Sequence, residues 1–298
     1  MKQRIKRYWK KLLSILKKPE MRILPSTIAF HIMLATIPLL TIVVLIASFF
    51  GISIDLVTKL VANIMPTQVS EIIINVISGK GFDQSVGIFN IVAFFLASNG
   101  TYAIINTSDT LYKVKDKTAW KARLSSVALL LIIILLFFFL LLVPIFGGSI
   151  IKLMSKAKIL ANFEEEAMII YNYMKWPISI MIIYFNIKLV YAVAPSKNIK
   201  GEETTYGAAF TTVCWIFATI IFRIYLGHFA RYDILYGNLS SIIIMMVWMY
   251  FLSYIFVFGM AINVSRKEEQ DLIEQQMKEE EERIAKEKEE KTKSKKEK

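Results

Sequence analysis

Cysteine is all but missing from this chain of 298 residues. The single Cys214 lies inside an apolar run, so no intrachain disulfide exists and the redox compartment stays unread. Histidine is nearly as scarce: only His31 and His228 are present, too few for a histidine-based metal cluster. Twelve glycines and seven prolines exclude a collagen-like or low-complexity body. Polar side chains are absent from long stretches, and that absence decides the solvent. The chain is 55% hydrophobic with a mean hydropathy of +0.51, and its apolar residues come in blocks. This is the composition of a membrane protein.

A hydrocarbon core about 30 Å thick takes roughly 20 residues of helix. Six segments qualify: 26–50, 85–105, 124–146, 171–194, 206–229 and 239–264. The third, "VALLLIIILLFFFLLLVPIF", has no polar side chain. The expected fold is therefore an all-α membrane protein, a six-helix transmembrane bundle with short interfacial helices and a charged C-terminal helix. Residues 1–22 form a basic amphipathic N-terminal segment, 23–265 the membrane domain and 266–298 a charged cytoplasmic tail. The first span is too long for a signal-peptide core and has no cleavage pattern after it, so it reads as a retained anchor. Two amphipathic pieces in 55–79 and a third in 152–170 read as interfacial helices.

Orientation follows from lysine and arginine. Residues 1–25 carry nine bases against one acid and 106–123 five against two, while 51–84 carry two against three and 147–170 three against three. The bias alternates and places both termini inside. The net charge of +12 sits on that inner side, since the tail from Arg266 onward holds eleven bases and twelve acids. Such a distribution suits anionic headgroups on the cytoplasmic side and not nucleic acid. In the tail, Glu274–Lys278, Glu279–Arg283 and Glu282–Lys286 are spaced for helical ion pairs.

Within the spans, polar groups are expensive and turn inward. By depth, His31, Ser98, Asn99, Thr101, Asn186, Lys188, Thr211, Thr212 and Asn263 fall toward the inner side, from every span but the third. Two readings stand. Either His31, Asn99, Asn186, Lys188, Thr211 and Asn263 line one hydrated cavity, or each is satisfied separately. At the other end, "FRIYLGHFARYDILYGNLSS" gives a candidate outer cap of Arg223, Tyr232, Asp233, Tyr236 and Gly237, with Arg223 and Asp233 pairing across the turn. Small stripes at Gly207, Thr211, Cys214, Ala218 and at Ala93, Ala97, Gly100 mark close helix packing or a homo-oligomer contact.

The segments "STIAFHIMLATIPLLTIVV", "ASNGTYAIINTSDTLY" and "YLGHFARYDILYGNLSSIIIMMVWMYFLSYIFVFGMAIN" resemble the YihY/BrkB family of bacterial inner-membrane proteins, from about Lys18 to Ser265. The resemblance implies six membrane helices and an activity that is unsettled; an old ribonuclease BN label is attached to many members. This chain departs from the family pattern at Ala261, where an acid is usual, and at Ser240, where a second glycine often follows.

Hydrolysis of a phosphodiester needs converging carboxylates and histidines. Here the two histidines lie at opposite ends of the bundle, so no enzyme is expected, and no metal or cofactor. Two functions remain: a transporter-like protein for a lipid or amphipathic envelope solute, or a non-transporting membrane scaffold for envelope assembly.

Overall fold

The computed structural model describes residues 13–49, 87–114, 118–156, 163–228 and 236–296, with isolated positions between 55 and 74. It is all-helical, with no strand among the described residues. The long helices are α1 (Glu20–Phe49), α2 (Gly87–Leu111), α3 (Ala119–Lys156), α4 (Glu164–Val193), α5 (Thr205–His228) and α6 (Ser240–Lys296). Short 3₁₀ turns at Gly201–Thr204 and Gly237–Leu239 precede α5 and α6. Among the described residues four of these, α3 to α6, meet the length and composition needed to cross a membrane.

Each helix packs on its chain neighbours, and α6 closes back onto α1, so the six form a ring in sequence order. They alternate in direction, because tertiary bonds gather the ends of α2, α4 and the 3₁₀ turn before α5 at one level. Lys113 Nζ reaches Glu268 at 2.8 Å, Lys267 Nζ reaches Glu203 at 2.7 Å, and Ser196 bonds Asp109. We call this the basic end.

Local chemistry explains the helix ends. Pro19 precedes α1, where its missing N–H costs nothing, and Glu20 occupies the first turn beside the positive end of the helix dipole. Three acids, Glu164 to Glu166, do the same for α4. Pro177 lies inside α4 without ending it, as neighbouring helices in a membrane can accommodate the freed carbonyl.

Two sequence expectations change. The segment "NTSDTL" is not loop: α2 runs to Leu111 and stops in a Schellman turn, with Val114 N bonded to Asp109 O at 2.9 Å and Lys113 N to Thr110 O at 3.2 Å. Lys113, at φ 55°, takes the left-handed position usually given to glycine. The expected interfacial helix at 152–170 is instead the end of α3 and the start of α4. Most of the other two interfacial pieces, and most of the N-terminal segment, lie outside the described residues.

The tail does continue the sixth span, as one helix of 57 residues. At about 1.5 Å per residue it is far longer than a bilayer is thick. Lys278 pairs with Glu274 at 3.0 Å as expected, whereas Arg283 sits 3.9 Å from Glu280.

The tightest approach in the ring joins α5 to α6. A Cβ on Gly207 would collide with the Gly259 carbonyl, and one on Gly259 with Thr211 Oγ1, while Tyr191 Oη would stand 2.7 Å away. The small stripe is thus used at Gly207 and Thr211, both buried, but not at Cys214 and Ala218, which are half-buried. Gly100 plays a milder version of the role between α1 and α2, its Cβ position 3.2 Å from Ala35 Cβ.

Gly259→Ala should therefore force the two backbones apart and lower thermal stability in detergent, at a cost of about 1–3 kcal/mol or more. Gly201→Ala, with nothing within 4 Å, is the matched control and should leave melting within about 0.5 kcal/mol. Equal melting of both variants would refute the crossing.

Candidate functional site

Inside the ring lies a cavity of about 300 Å³, to which every helix contributes a wall. Ile28 and Ile32 come from α1, Ile104 from α2, Ile133 from α3, Ile187 and Val190 from α4, Trp215 from α5 and Phe256 from α6. The polar side chains of its lining are Asn186 and Ser253. The surface is apolar, and α3, the span without polar side chains in its apolar run, supplies part of it. Its size is at the lower bound for small-molecule sites.

Next to the cavity, toward the basic end, α4, α5 and α6 are keyed together by a buried polar cluster. Tyr191, fully buried, bonds the Phe256 carbonyl at 2.6 Å and the Thr211 hydroxyl at 2.7 Å. One turn further, Asn263 Oδ1 accepts from Gly207 N at 2.7 Å. Among the described residues the Asn263 amide nitrogen has no partner. Phe256 therefore serves both features: its ring walls the cavity, and its carbonyl receives Tyr191.

The polar contacts of the six residues run separately, in line with the second of the two readings. Only Thr211 and Asn263 fall in one cluster. His31 Nδ1 is 2.8 Å from the carbonyl of Thr27 and Asn186 donates to the carbonyl of Ile182, each within its own helix. Lys188 lies 5.9 Å from the Tyr184 ring, also on α4. Asn99 Oδ1 accepts from Arg123 Nη1 at 2.7 Å, across to α3. The reason is radial: depth along a helix was legible, but a hydroxyl or amide that returns to its own backbone at i−4 need not face a common space. Of the six, Asn186 alone reaches the cavity.

The outer cap is only partly described. Tyr232 and Asp233 lie outside the described residues, so their pairing with Arg223 does too. Arg223 and Tyr236 are exposed at the far end. Gly237 has φ 51° and opens the 3₁₀ turn before α6, a conformation glycine adopts without strain.

Sequence reasoning missed Asp109 and Tyr191. Asp109 is fully buried, accepting from Ser196 N at 2.7 Å and Ser196 Oγ at 2.8 Å, and so ties α2 to the segment after α4. Thr107 and Ser108 beside it are buried, their hydroxyls unpartnered among the described residues. An acid within an otherwise polar, loop-like string carried no signal of burial. Tyr191 lay where interfacial aromatics are common, which hid its inward role.

A family profile described as virulence factor BrkB matches residues 15–285, nearly the whole chain. The chain belongs to the BrkB family. Its relatives include YfkH of Bacillus subtilis (strain 168), provisionally described as ribonuclease-like, at 23% identity over 80% of this chain and 87% of that protein. It is also similar to the UPF0761 membrane proteins IL2447 of Idiomarina loihiensis, at 25% identity over 72% of this chain and 74% of that one, and VP0125 of Vibrio parahaemolyticus, at 23% over 88% and 83%. No solved structure matches. In this BrkB-family chain the departure at Ala261 falls in the apolar core, where the side chain is 4% exposed.

At the basic end Tyr112, just beyond α2, is pushed up to about 12, first by burial and then by the Glu203 carboxylate nearby. The folded protein therefore holds the phenolic proton more tightly than the unfolded chain, whose tyrosine titrates near 10. Its stabilising contribution is complete below about pH 10 and lost as pH rises through about 12. Chemical unfolding followed from pH 9 to 12 should show that decline, and Tyr112→Phe should flatten it; an unchanged slope would show that Tyr112 is not the group involved.

Proposed function

We propose that this protein is a six-span bacterial cytoplasmic-membrane carrier for a lipid or other amphipathic envelope component, whose apolar chain occupies the cavity of the ring. The carrying observation is that cavity: apolar, lined by residues of all six helices, and offering two polar side chains. A site of that character recognises hydrocarbon and would hold a hydrated ion poorly. The membrane assignment draws on the apolar helices and on the UPF0761 relatives, which are themselves described as membrane proteins.

The reading is non-enzymatic. His31 and His228 each return to their own helix, at Thr27 and Ile224. Their positions on α1 and α5 differ by roughly 18 Å along the bundle, too far to share one water. The ribonuclease-like description belongs to YfkH, and among the described residues no group of three or more His, Cys, Asp or Glu could hold a metal ion.

A scaffold reading has one observation in its favour. The tail helix carries exposed Leu272, Ile273 and Met277, between 51% and 60% accessible, among its charges. An envelope partner would meet these residues.

Both termini and the 106–123 segment are assigned to the cytoplasm from the lysine and arginine bias, with which the shared basic end is consistent. With Cys214 replaced, a cysteine at Lys115 should resist an impermeant maleimide in intact cells and react after permeabilisation. Labelling in intact cells would invert the topology.

The cavity is tested with a phospholipid bearing a photoreactive acyl chain, in reconstituted bilayers. Crosslinks should map to cavity residues of α4 and α6, and Ser253→Phe should reduce them about fivefold or more while the melting temperature shifts by only a few degrees. Crosslinks confined to outward residues such as Phe217 and Ile221, unchanged by Ser253→Phe, would leave the scaffold reading standing instead.

A further inference from the structure

Arg123, in the second turn of α3, is held on several sides by neutral groups. Its Nη1 donates to Asn99 Oδ1 at 2.7 Å and its Nη2 to the Phe95 carbonyl at 3.2 Å, while the guanidinium carbon stands 4.0 Å from the Phe95 ring centre and 5.7 Å from that of Tyr102. It is half-buried, and among the described residues its partners include no carboxylate. A guanidinium has five donor hydrogens, so Nε and one hydrogen on each terminal nitrogen remain for something else. A charge held this firmly at the edge of an apolar helix, with no carboxylate among its described partners, has capacity left for an anion.

The surroundings say what kind of anion. Trp120 is 76% exposed and Leu124 64% exposed, so the outward surface on both sides of Arg123 is an aromatic and an aliphatic side chain. That is the composition of the boundary between headgroups and hydrocarbon. Lys121 is exposed beside them, and the first turn of α3, the positive end of its dipole, contains no acid. Arginine's planar fork matches two oxygens of a phosphate, and the bonds to Asn99 and Phe95 fix that fork before any ligand arrives.

We propose that Arg123, oriented by Asn99 and Phe95, is a binding site for the phosphate of an anionic phospholipid at the α2–α3 face of the basic end. Arg123, Asn99 and Phe95 are not part of the cavity lining, and Arg123 lies about 15 Å along α3 from Ile133 on the cavity wall. Asn99 acts here as a positioning residue. Its polarity, which at first sight belongs to a hydrated interior, serves to aim a cation at the membrane surface.

The test uses the full chain in nanodiscs of phosphatidylcholine with a minority of phosphatidylglycerol. A photocrosslinking phenylalanine analogue replaces Trp120, whose exposure makes the exchange mild. Phosphatidylglycerol should be captured about fivefold above its share of the bilayer. Arg123→Gln should bring capture down to that share, Arg123→Lys should leave an intermediate value because charge survives without the fork, and Asn99→Leu should also reduce enrichment. Lys278→Gln, which removes an equal charge from the distant tail, should change nothing. Where Arg123→Gln does not fold, Arg123→Lys and the wild-type ratio decide: capture at the bulk share in wild type, or undiminished in Arg123→Lys, overturns the proposal. Millimolar inorganic phosphate should leave the wild-type enrichment intact. Its loss would identify a free-phosphate site and overturn the lipid assignment.

Discussion

The ring depends on the place where α5 and α6 touch backbone to backbone. Helices in lipid gain nothing from hiding apolar surface from one another, so their association rests on close packing and on polar bonds. Gly207 and Gly259 provide the first, since neither position has room for a Cβ. The approach then brings the second within reach: Asn263 meets Gly207, and Thr211 comes close enough to α4 for Tyr191 to bond it and the Phe256 carbonyl together. Three helices are fixed by one crossing. With α4, α5 and α6 so placed, α6 can close on α1 and complete the circuit that leaves a cavity at its centre.

How much of this was legible depended on which physical signal each residue carried. The helices were, because long apolar runs leave no alternative in a membrane. Gly207 and Thr211 were, because small residues at i and i+4 mark a close face. The end of α2 was not. "NTSDTL" has the composition of a turn, and its burial comes from neighbours distant in sequence, such as Ser196, 87 residues beyond Asp109. The Schellman turn that ends it carries Lys113 where glycine would have signalled it. The bond from Arg123 to Asn99 is a register between two helices, which no local pattern encodes.

The polar residues of the spans show the same limit more generally. Thr36, Ser98, Asn186, Thr212 and Thr219 all give their hydrogen bonds to carbonyls three or four residues back. In lipid such a bond removes most of the cost of a hydroxyl or amide without requiring water or a partner helix. Depth alone therefore overstates how many polar groups a common interior has to accommodate. Of the residues that bond between elements, Tyr191, Asp109 and Asn263 lie toward the basic end, whereas Trp215 donates to the Leu252 carbonyl at the cavity wall and Ser155 joins Glu164 at the other end of α3. The middle of the ring is left to isoleucine, tryptophan and phenylalanine.

This separation along the bundle constrains any carrier mechanism. Phe256 walls the cavity on one side and accepts the Tyr191 hydroxyl on the other, so the keyed crossing stands between the cavity and the basic end. Cargo leaving through it would break both bonds of Tyr191 and leave buried groups unpaired, at about 1–3 kcal/mol for each group. It would also separate the two glycines, whose contact holds α5 to α6. Sideways exit between neighbouring helices would break none of these, and the lipid outside offers an apolar chain the same solvent as the cavity. For the proposed amphipathic cargo, lateral exchange with the bilayer is therefore the less costly route. The crossing is then the fixed element against which the other helices part.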